Sequence, residues 1–516
     1  MAILSPSTCH FQLRVFMNSS RFKKSDQASL FSRINIFALF ISFAAISACS
    51  SETEEPDRTA EVEARLQTVI EKYDVRAVDP TTLGAPSIDD PLSQLGKKLF
   101  FTKALSGEQD TACASCHHPS LGGGDDLSLP IGVDAVDPDL LGPGRRHQSS
   151  ADHWDGGPTV PRNSPTVFNF VLYEKTVFHD GRIEAVEGGI RTPNSELGLA
   201  DPNAGDSLAA AQARFPVTSA EEMRGFHFAA NEGDDARLLL GKRLRGDSGE
   251  LDAVAVQNWD AEFAAVFGHD VQPMVNYHRV AAAIAAYENS QLFIDNAWFR
   301  YLNGDQDALT LAAKRGAILF NTPAADGGAG CTTCHSGPAM TDESFHVLAM
   351  PQIGRGKGDD ANLRGDHGRY RESHQPDDKY AFRTPSLLNV TETGPYGHSG
   401  AYADLESVVQ HHLDPLTALE NFDLSQLDEG IQSESLMYTA EESILQLERL
   451  RAEGKNNLPL VQLSEGEQAD LMAFLQALTD PCVQSRECLS RWIPGPEDSD
   501  PDQLRLVAKD RNGELL

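Results

Sequence analysis

Two pentapeptides constrain this chain more than anything else in it: Cys113-Ala114-Ser115-Cys116-His117 and Cys331-Thr332-Thr333-Cys334-His335. In Cys-x-x-Cys-His the two thiols lie one helical turn apart, so both can add to the vinyl groups of one haem while the adjoining imidazole coordinates its iron. A Cys-x-x-Cys pair alone would also suit a redox dithiol or half a zinc site. A His directly after the second Cys, twice over, argues against both. The motifs predict two covalent c-type haems held by Cys113, Cys116, Cys331 and Cys334, with His117 and His335 as iron ligands.

The sequence around each motif repeats. Gly96-Lys97-Lys98-Leu99-Phe100 ends thirteen residues ahead of Cys113, and Gly316-Ala317-Ile318-Leu319-Phe320 ends eleven ahead of Cys331. Leu92, Leu95, Leu99 and Phe100 recur at helical spacing, so order is expected to begin near Pro91 with an apolar helix. Closing helices are expected at His278 to Asn289 and at Glu465 to Leu478, the second with Leu471, Phe474, Leu475 and Leu478 on one face. The expected fold is mainly α: two cytochrome c-like haem domains in tandem, with long loops, joined near residues 270 to 300. A length of 516 residues allows both cores.

Four cysteines remain. Residues Ile34 to Ser47 form an apolar run preceded by Arg21, Lys23, Lys24 and Arg33, too short for a typical span but suited to a signal peptide. The run ends in Ile46-Ser47-Ala48-Cys49, similar to a bacterial lipobox in which Cys49 is acylated and Cys9 is lost with the leader; Met17 is an alternative start. Ser50 after the Cys points by analogy to the outer membrane, and a plain secretory signal is the alternative. Either way the haems are expected outside the cytoplasm, at the periplasmic face. Residues 50–90 are expected to be an acidic tether with a short helix at Glu61 to Glu71. At the far end, Cys482 and Cys488 are expected to close a small disulfide loop in the tail 481–516. With 43 basic against 76 acidic residues the net charge is −33, which disfavours nucleic acid and anionic lipid and would attract a small basic protein.

Several further stretches resemble the bacterial di-haem cytochrome c peroxidases, with features of the related enzymes that mature methylamine dehydrogenase. They are Gly122-Gly123-Gly124-Asp125, Pro161-Arg162-Asn163-Ser164-Pro165-Thr166-Val167-Phe168-Asn169, Asp180-Gly181-Arg182, Phe382-Arg383-Thr384-Pro385-Ser386-Leu387 and Pro395-Tyr396-Gly397-His398-Ser399-Gly400. The resemblance spans about residues 90 to 480. Beyond the lipoprotein leader over 1–49, it implies a peroxidatic haem domain over 91–290 and an electron-transfer haem domain over 291–480. Peroxide would be the substrate, and a small donor such as a cytochrome c or cupredoxin would supply electrons. A homodimer is one possible assembly.

Peroxide cleavage needs an open iron site and a group that moves a proton between the two oxygens. The family uses a Gln and, ten residues later, a Glu; Gln212 and Glu222 match, and Glu196 in Thr192-Pro193-Asn194-Ser195-Glu196 is a weaker rival. Where many members carry a His that closes the first iron, this chain has Val133, so that site is expected to be open. His147 and His153 are possible substitutes, and the simpler expectation is that they are surface histidines. The second haem's sixth ligand, Met or Tyr in relatives, falls here on His412; Met340, Met350 and Met437 are the alternatives. His179 stands where the family has a Trp between the haems. The family's interdomain calcium ion would match Asn163, Thr393 and Pro395, oxygen donors suited to a hard cation. The leading expectation is a peroxidase. A second is an oxidase acting on a partner protein through its haems, favoured by Val133 and disfavoured by His179. A third is an electron-transfer lipoprotein, against which the Gln212 and Glu222 pair argues.

Overall fold

The two repeats become two copies of one helix pair. In the first, the leading helix Pro91–Phe101 packs against the closing helix Tyr277–Asn289; in the second, Leu311–Asn321 packs against Glu465–Gln476. Local chemistry sets these ends. Pro91 starts the first leading helix, where a missing N–H costs nothing. Thr310 Oγ1 accepts from Ala313 N, and Ser464 with Glu467 forms a reciprocal capping box. Each pair touches at a glycine: a Cβ on Gly96 would lie 1.9 Å from the Ala283 carbonyl oxygen, and one on Gly316 would lie 1.9 Å from that of Asp470. One helical turn on, aromatic rings seal each contact, Phe100 on Tyr287 at 4.8 Å and Phe320 on Phe474 at 5.1 Å between centroids.

The computed structural model describes residues 54–516 apart from 227–232, 248–257, 270–272, 360–363, 429, 434–435 and 457. The expected leader, Cys9 and Cys49 lie outside the described residues. The chain is helix-rich, with a three-stranded antiparallel sheet (Thr176–Val177, Ile183–Val186, Gly189–Arg191) and a two-stranded one (Phe345–Val347, Ala381–Arg383). Val177 lies opposite Ile183, Glu184 opposite Arg191, and His346 opposite Phe382. The copies meet at Phe293: its carbonyl oxygen accepts from Asn169 Nδ2 at 3.2 Å and from Asn389 Nδ2 at 3.0 Å. Both asparagines sit at positive φ, 60° and 64°, a conformation Asn tolerates better than most residues.

Order begins well before Pro91, contrary to the expectation. The helix expected at Glu61 to Glu71 runs Glu54–Tyr73 and is not part of a free tether: Leu66 and Val69 are buried in the second copy's core with Trp298, Ala317 and Phe474. Its polar face is also engaged, Glu63 binding Lys314 Nζ at 2.7 Å and Tyr301 Oη at 2.6 Å. The tail crosses the other way. Val483, Leu489, Trp492, Ile493, Leu506 and Ala508 complete the first copy's core, and Cys482 and Cys488 are joined in a disulfide.

Arg162 ties the first copy's loops to the second's. It donates from Nε and Nη2 to both oxygens of Asp366 (2.6 and 2.8 Å) and from Nη1 to Asp180 (2.6 Å), all three side chains being buried. Burial by itself would raise both carboxyls; the guanidinium beside them overrides it and holds both well below the usual carboxylate range.

Candidate active site

Each Cys-x-x-Cys-His motif forms one tight turn, Cys113–Ser115 and Cys331–Thr333, directly after its leading helix and loop. The four cysteines are free and partly buried, and each pair lines its own cavity. The second cavity is the larger of the two. His117 Nδ1 lies 3.2 Å from the Gly123 carbonyl oxygen and His335 Nδ1 lies 3.3 Å from that of Met340. Donation there leaves Nε2 with its lone pair, the arrangement a metal-bound imidazole uses. Burial brings both rings down to about 4, so both are neutral near pH 7, the state that ligates. The residues present therefore fit two c-type haems.

The first cavity collects what the sequence scattered. Gln212 reaches it from the end of the short helix Leu208–Gln212, and Glu222 from a single π turn, Ala220–Arg224, capped by Ser219 Oγ. Arg162, Arg182, Lys357 and Glu288 share the lining. Burial raises the Glu222 carboxyl, and the charges of Arg182 and Lys357 partly oppose the rise. Glu288, which sequence reasoning missed, is pushed up to about 8 by burial, and its Oε2 has no hydrogen-bond partner among the described residues. Lys357 was missed too; burial, with Arg162 and Arg182 nearby, brings it down to about 8. Neither stands in a local motif that would single it out. Arg162 and Asp180 stood inside quoted motifs, but nothing in the spacing joined them to Asp366.

Glu196 is exposed in a turn and does not line the cavity. Val133 is fully buried, its N–H donating to Glu221 O, and it is not on the lining either. His147 and His153 also stand away from the cavity, and the surface expectation for them is overturned: His147 is 7% exposed, and the side chain of His153 is 13% exposed. Both are drawn inward because the loop carrying them folds back on Asp134 through the Ala135 to His147 bridge.

The second cavity has a different far wall. His412 sits on it, on the helix Leu405–Leu413, with Nδ1 2.8 Å from Val408 O and its ring centroid 6.3 Å from that of His335. His335 and His412 thus line the same cavity with their rings close together. Neighbouring His411 is spoken for, Nδ1 by Tyr402 Oη (2.7 Å) and Nε2 by Leu348 O (2.8 Å). Met350 also lines the cavity; Met340 is buried on the Nδ1 side of His335; the side chain of Met437 lies outside the described residues. Asn163, Thr393 and Pro395 are brought together on this same lining. His179, Phe178, Asn163 and Pro165 line both cavities and form the wall between them.

Comparison with known proteins agrees with this geometry. Residues 91–307 match the family model described as di-haem cytochrome c peroxidase. Methylamine utilization protein MauG of Methylorubrum extorquens is 31% identical over 320 residues, 62% of this chain and 67% of that protein. Cytochrome-c peroxidase IdrP1 of Denitromonas iodatirespirans is 30% identical over 349 residues, covering 62% and 73%. Among solved structures, a MauG-like protein associated with microbial copper homeostasis superposes with a TM-score of 0.52 at 21% identity, over 83% of this chain and 97% of that one. The chain belongs to the di-haem cytochrome c peroxidase family. Two c-type haems are the cofactors that membership brings.

Proposed function

We propose that this chain is a di-haem peroxidase that reduces hydrogen peroxide to water, with Glu222 and Gln212 as the groups that handle peroxide. One observation carries the reading: both side chains line the cavity that holds Cys113, Cys116 and His117. When bound, the haems supply the iron centre and the two electrons; the protein supplies the protons and the positioning. Glu222 takes the proton from the nearer peroxide oxygen and returns it to the leaving one, and a carboxyl raised by burial is suited to both tasks. The Gln212 amide orients peroxide by hydrogen bonding. With two further protons taken up, one peroxide and two electrons give two waters.

The two halves act as tandem haem domains, the first peroxidatic and the second passing electrons. His117 and His335 are the proximal ligands, and His412 completes the second site. His117 and His179 are the imidazoles on the first lining among the described residues, and His179 Nε2 lies 3.0 Å from Asn163 O, which supports a first site left open to peroxide. A calcium ion held by Asn163 Oδ1 and the Thr393 and Pro395 carbonyls would brace the wall between the halves, since Asn163 Nδ2 is already committed to Leu127 O and Ser128 O. The charge of −33 suits docking of a small basic electron donor. A lipid anchor at Cys49 facing the periplasm completes the reading; no helix among the described residues is long and apolar enough to cross a membrane.

Steady-state turnover of peroxide with a reduced cytochrome c tests this. Glu222→Gln should keep both haem spectra and lower kcat by about 100-fold or more, the scale for removing a positioned acid/base group. Glu196→Gln should be silent; a loss there with Glu222→Gln active would refute the assignment.

A further inference from the structure

Three ligand-type side chains converge outside both cavities. His153 Nε2 lies 3.3 Å from His147 Nε2 and 3.3 Å from Asp134 Oδ2, and the three ligand atoms all fall within 4.8 Å of one another. The two rings stand nearly perpendicular, at 84° with centroids 5.2 Å apart. A plain hydrogen-bond chain explains this poorly. A single N–H on His153 Nε2 cannot point at both neighbours, and 3.3 Å is long for either bond. A metal ion between them explains both distances. Ligands about 2.0–2.1 Å from a tetrahedral ion stand about 3.3 Å apart, whereas right-angled ligands on an octahedral or square-planar ion stand about 2.9 Å apart.

The surroundings hold the ligands in place. His147 Nδ1 lies 3.0 Å from the Gln148 carbonyl oxygen, and donation there leaves Nε2 with the lone pair a metal needs. Gln148 N in turn donates to Asp134 O at 2.8 Å, and Asp134 N donates to Asp110 Oδ2 at 2.7 Å. The Phe226 ring stacks on His153 with centroids 3.6 Å apart and covers one side.

We propose that Asp134, His147 and His153 form a binding site for a divalent transition-metal ion, zinc by its donor set of two imidazoles and a carboxylate, with a fourth position left to water. The ion is separate from both haem irons. It fastens the loop after Val133 to the 147–153 loop beside Phe226, which follows the Glu222 turn by two residues.

The test uses the full-length holoprotein after dialysis against a chelator that leaves haem iron in place. Titration with zinc chloride, followed by calorimetry and elemental analysis, should find one zinc per chain beside two irons. Asp134→Asn and His153→Gln should each weaken binding by more than the about 10–100-fold that loss of an outer-shell partner costs, with both haem spectra unchanged. If a variant does not fold, the unmutated protein still decides: zinc should protect His147 and His153 from diethylpyrocarbonate, read by mass spectrometry. No stoichiometric zinc, zinc held undiminished by folded variants, or unprotected histidines would overturn the proposal.

Discussion

The two halves of this molecule share a scaffold and differ in what shares a cavity with the histidine of each motif. In each, a glycine lets a leading helix press on a closing helix, and the His after the second Cys gives Nδ1 to a carbonyl. Beyond that the resemblance stops. The cavity of His117 also holds an acid, an amide and several cations; the cavity of His335 also holds a second imidazole, with ring centroids 6.3 Å apart. The repeat therefore places the two Cys-x-x-Cys-His motifs alike, and the unrepeated segments give each different surroundings. Residues 208–224 furnish the first far wall and the helix Leu405–Leu413 the second.

The comparison breaks most decisively at the cysteines. Cys113→Ala with Cys116→Ala should leave one covalent haem on a denaturing gel and abolish peroxide turnover. Cys331→Ala with Cys334→Ala should also leave one haem, but keep the first site's spectrum and its reaction with peroxide. If both pairs gave the same spectrum and the same residual reactivity, the halves would not be functionally distinct.

Next in size is the joint between the halves. Removing the cation from a buried ion cluster strands its partners, so Arg162→Met should cost about 3–5 kcal/mol at pH 7, measured by denaturant unfolding. The sign with pH follows from the carboxyls. Asp180 and Asp366 lie below their ordinary value of 3.8 in the folded chain, so the contribution is complete above that value and is lost as pH falls toward the folded values. The gap between unmutated protein and variant should therefore shrink below about pH 4. A gap independent of pH would mean that Arg162 acts by packing alone.

The glycines sharpen the likeness. Helix propensity alone would make Ala better than Gly by about 1 kcal/mol. A Cβ 1.9 Å from a carbonyl oxygen reverses that, and overpacking of this kind costs about 1–3 kcal/mol. Gly96→Ala and Gly316→Ala should each lower the melting temperature of the holoprotein, by similar amounts. A stabilised variant in either half would show that its helix pair yields readily.

The smallest effect is a shift in potential rather than a loss. His412→Met should raise the second haem's potential and introduce a sulfur-to-iron charge-transfer band, because a thioether stabilises ferric iron less than imidazole does. His411→Met should leave potential and band alone, while costing stability through its bonds to Tyr402 and Leu348. A sulfur band in the unmutated protein would assign the ligand to a methionine.

What the sequence revealed was what is written locally. The haem motifs, both helix pairs, the Cys482 to Cys488 loop and the ten-residue step from Gln212 to Glu222 are short-range patterns, and the closing helices lie within a residue or two of their expected bounds. What it hid depends on contacts between distant segments. Nothing near Asp366 advertises Arg162, nothing near Lys357 advertises Glu222, and the acidic composition of residues 50–90 masked the apolar stripe of Leu66 and Val69. His147 and His153 looked like surface residues because their Gly- and Ser-rich setting is typical of loops, whereas their burial comes from Asp134 and Phe226.

The crossed ends bear on the order in which such a chain can be assembled. The first motif comes early in the chain, but the core it packs on is completed by residues near 500; Thr102 Oγ1 binds Asp502 across 400 residues, and Trp259 Nε1 reaches the same carboxylate. Closing so long a loop is entropically costly, so the core of this half stays incomplete until the C-terminal residues are in place. The half synthesised first is thus the half finished last.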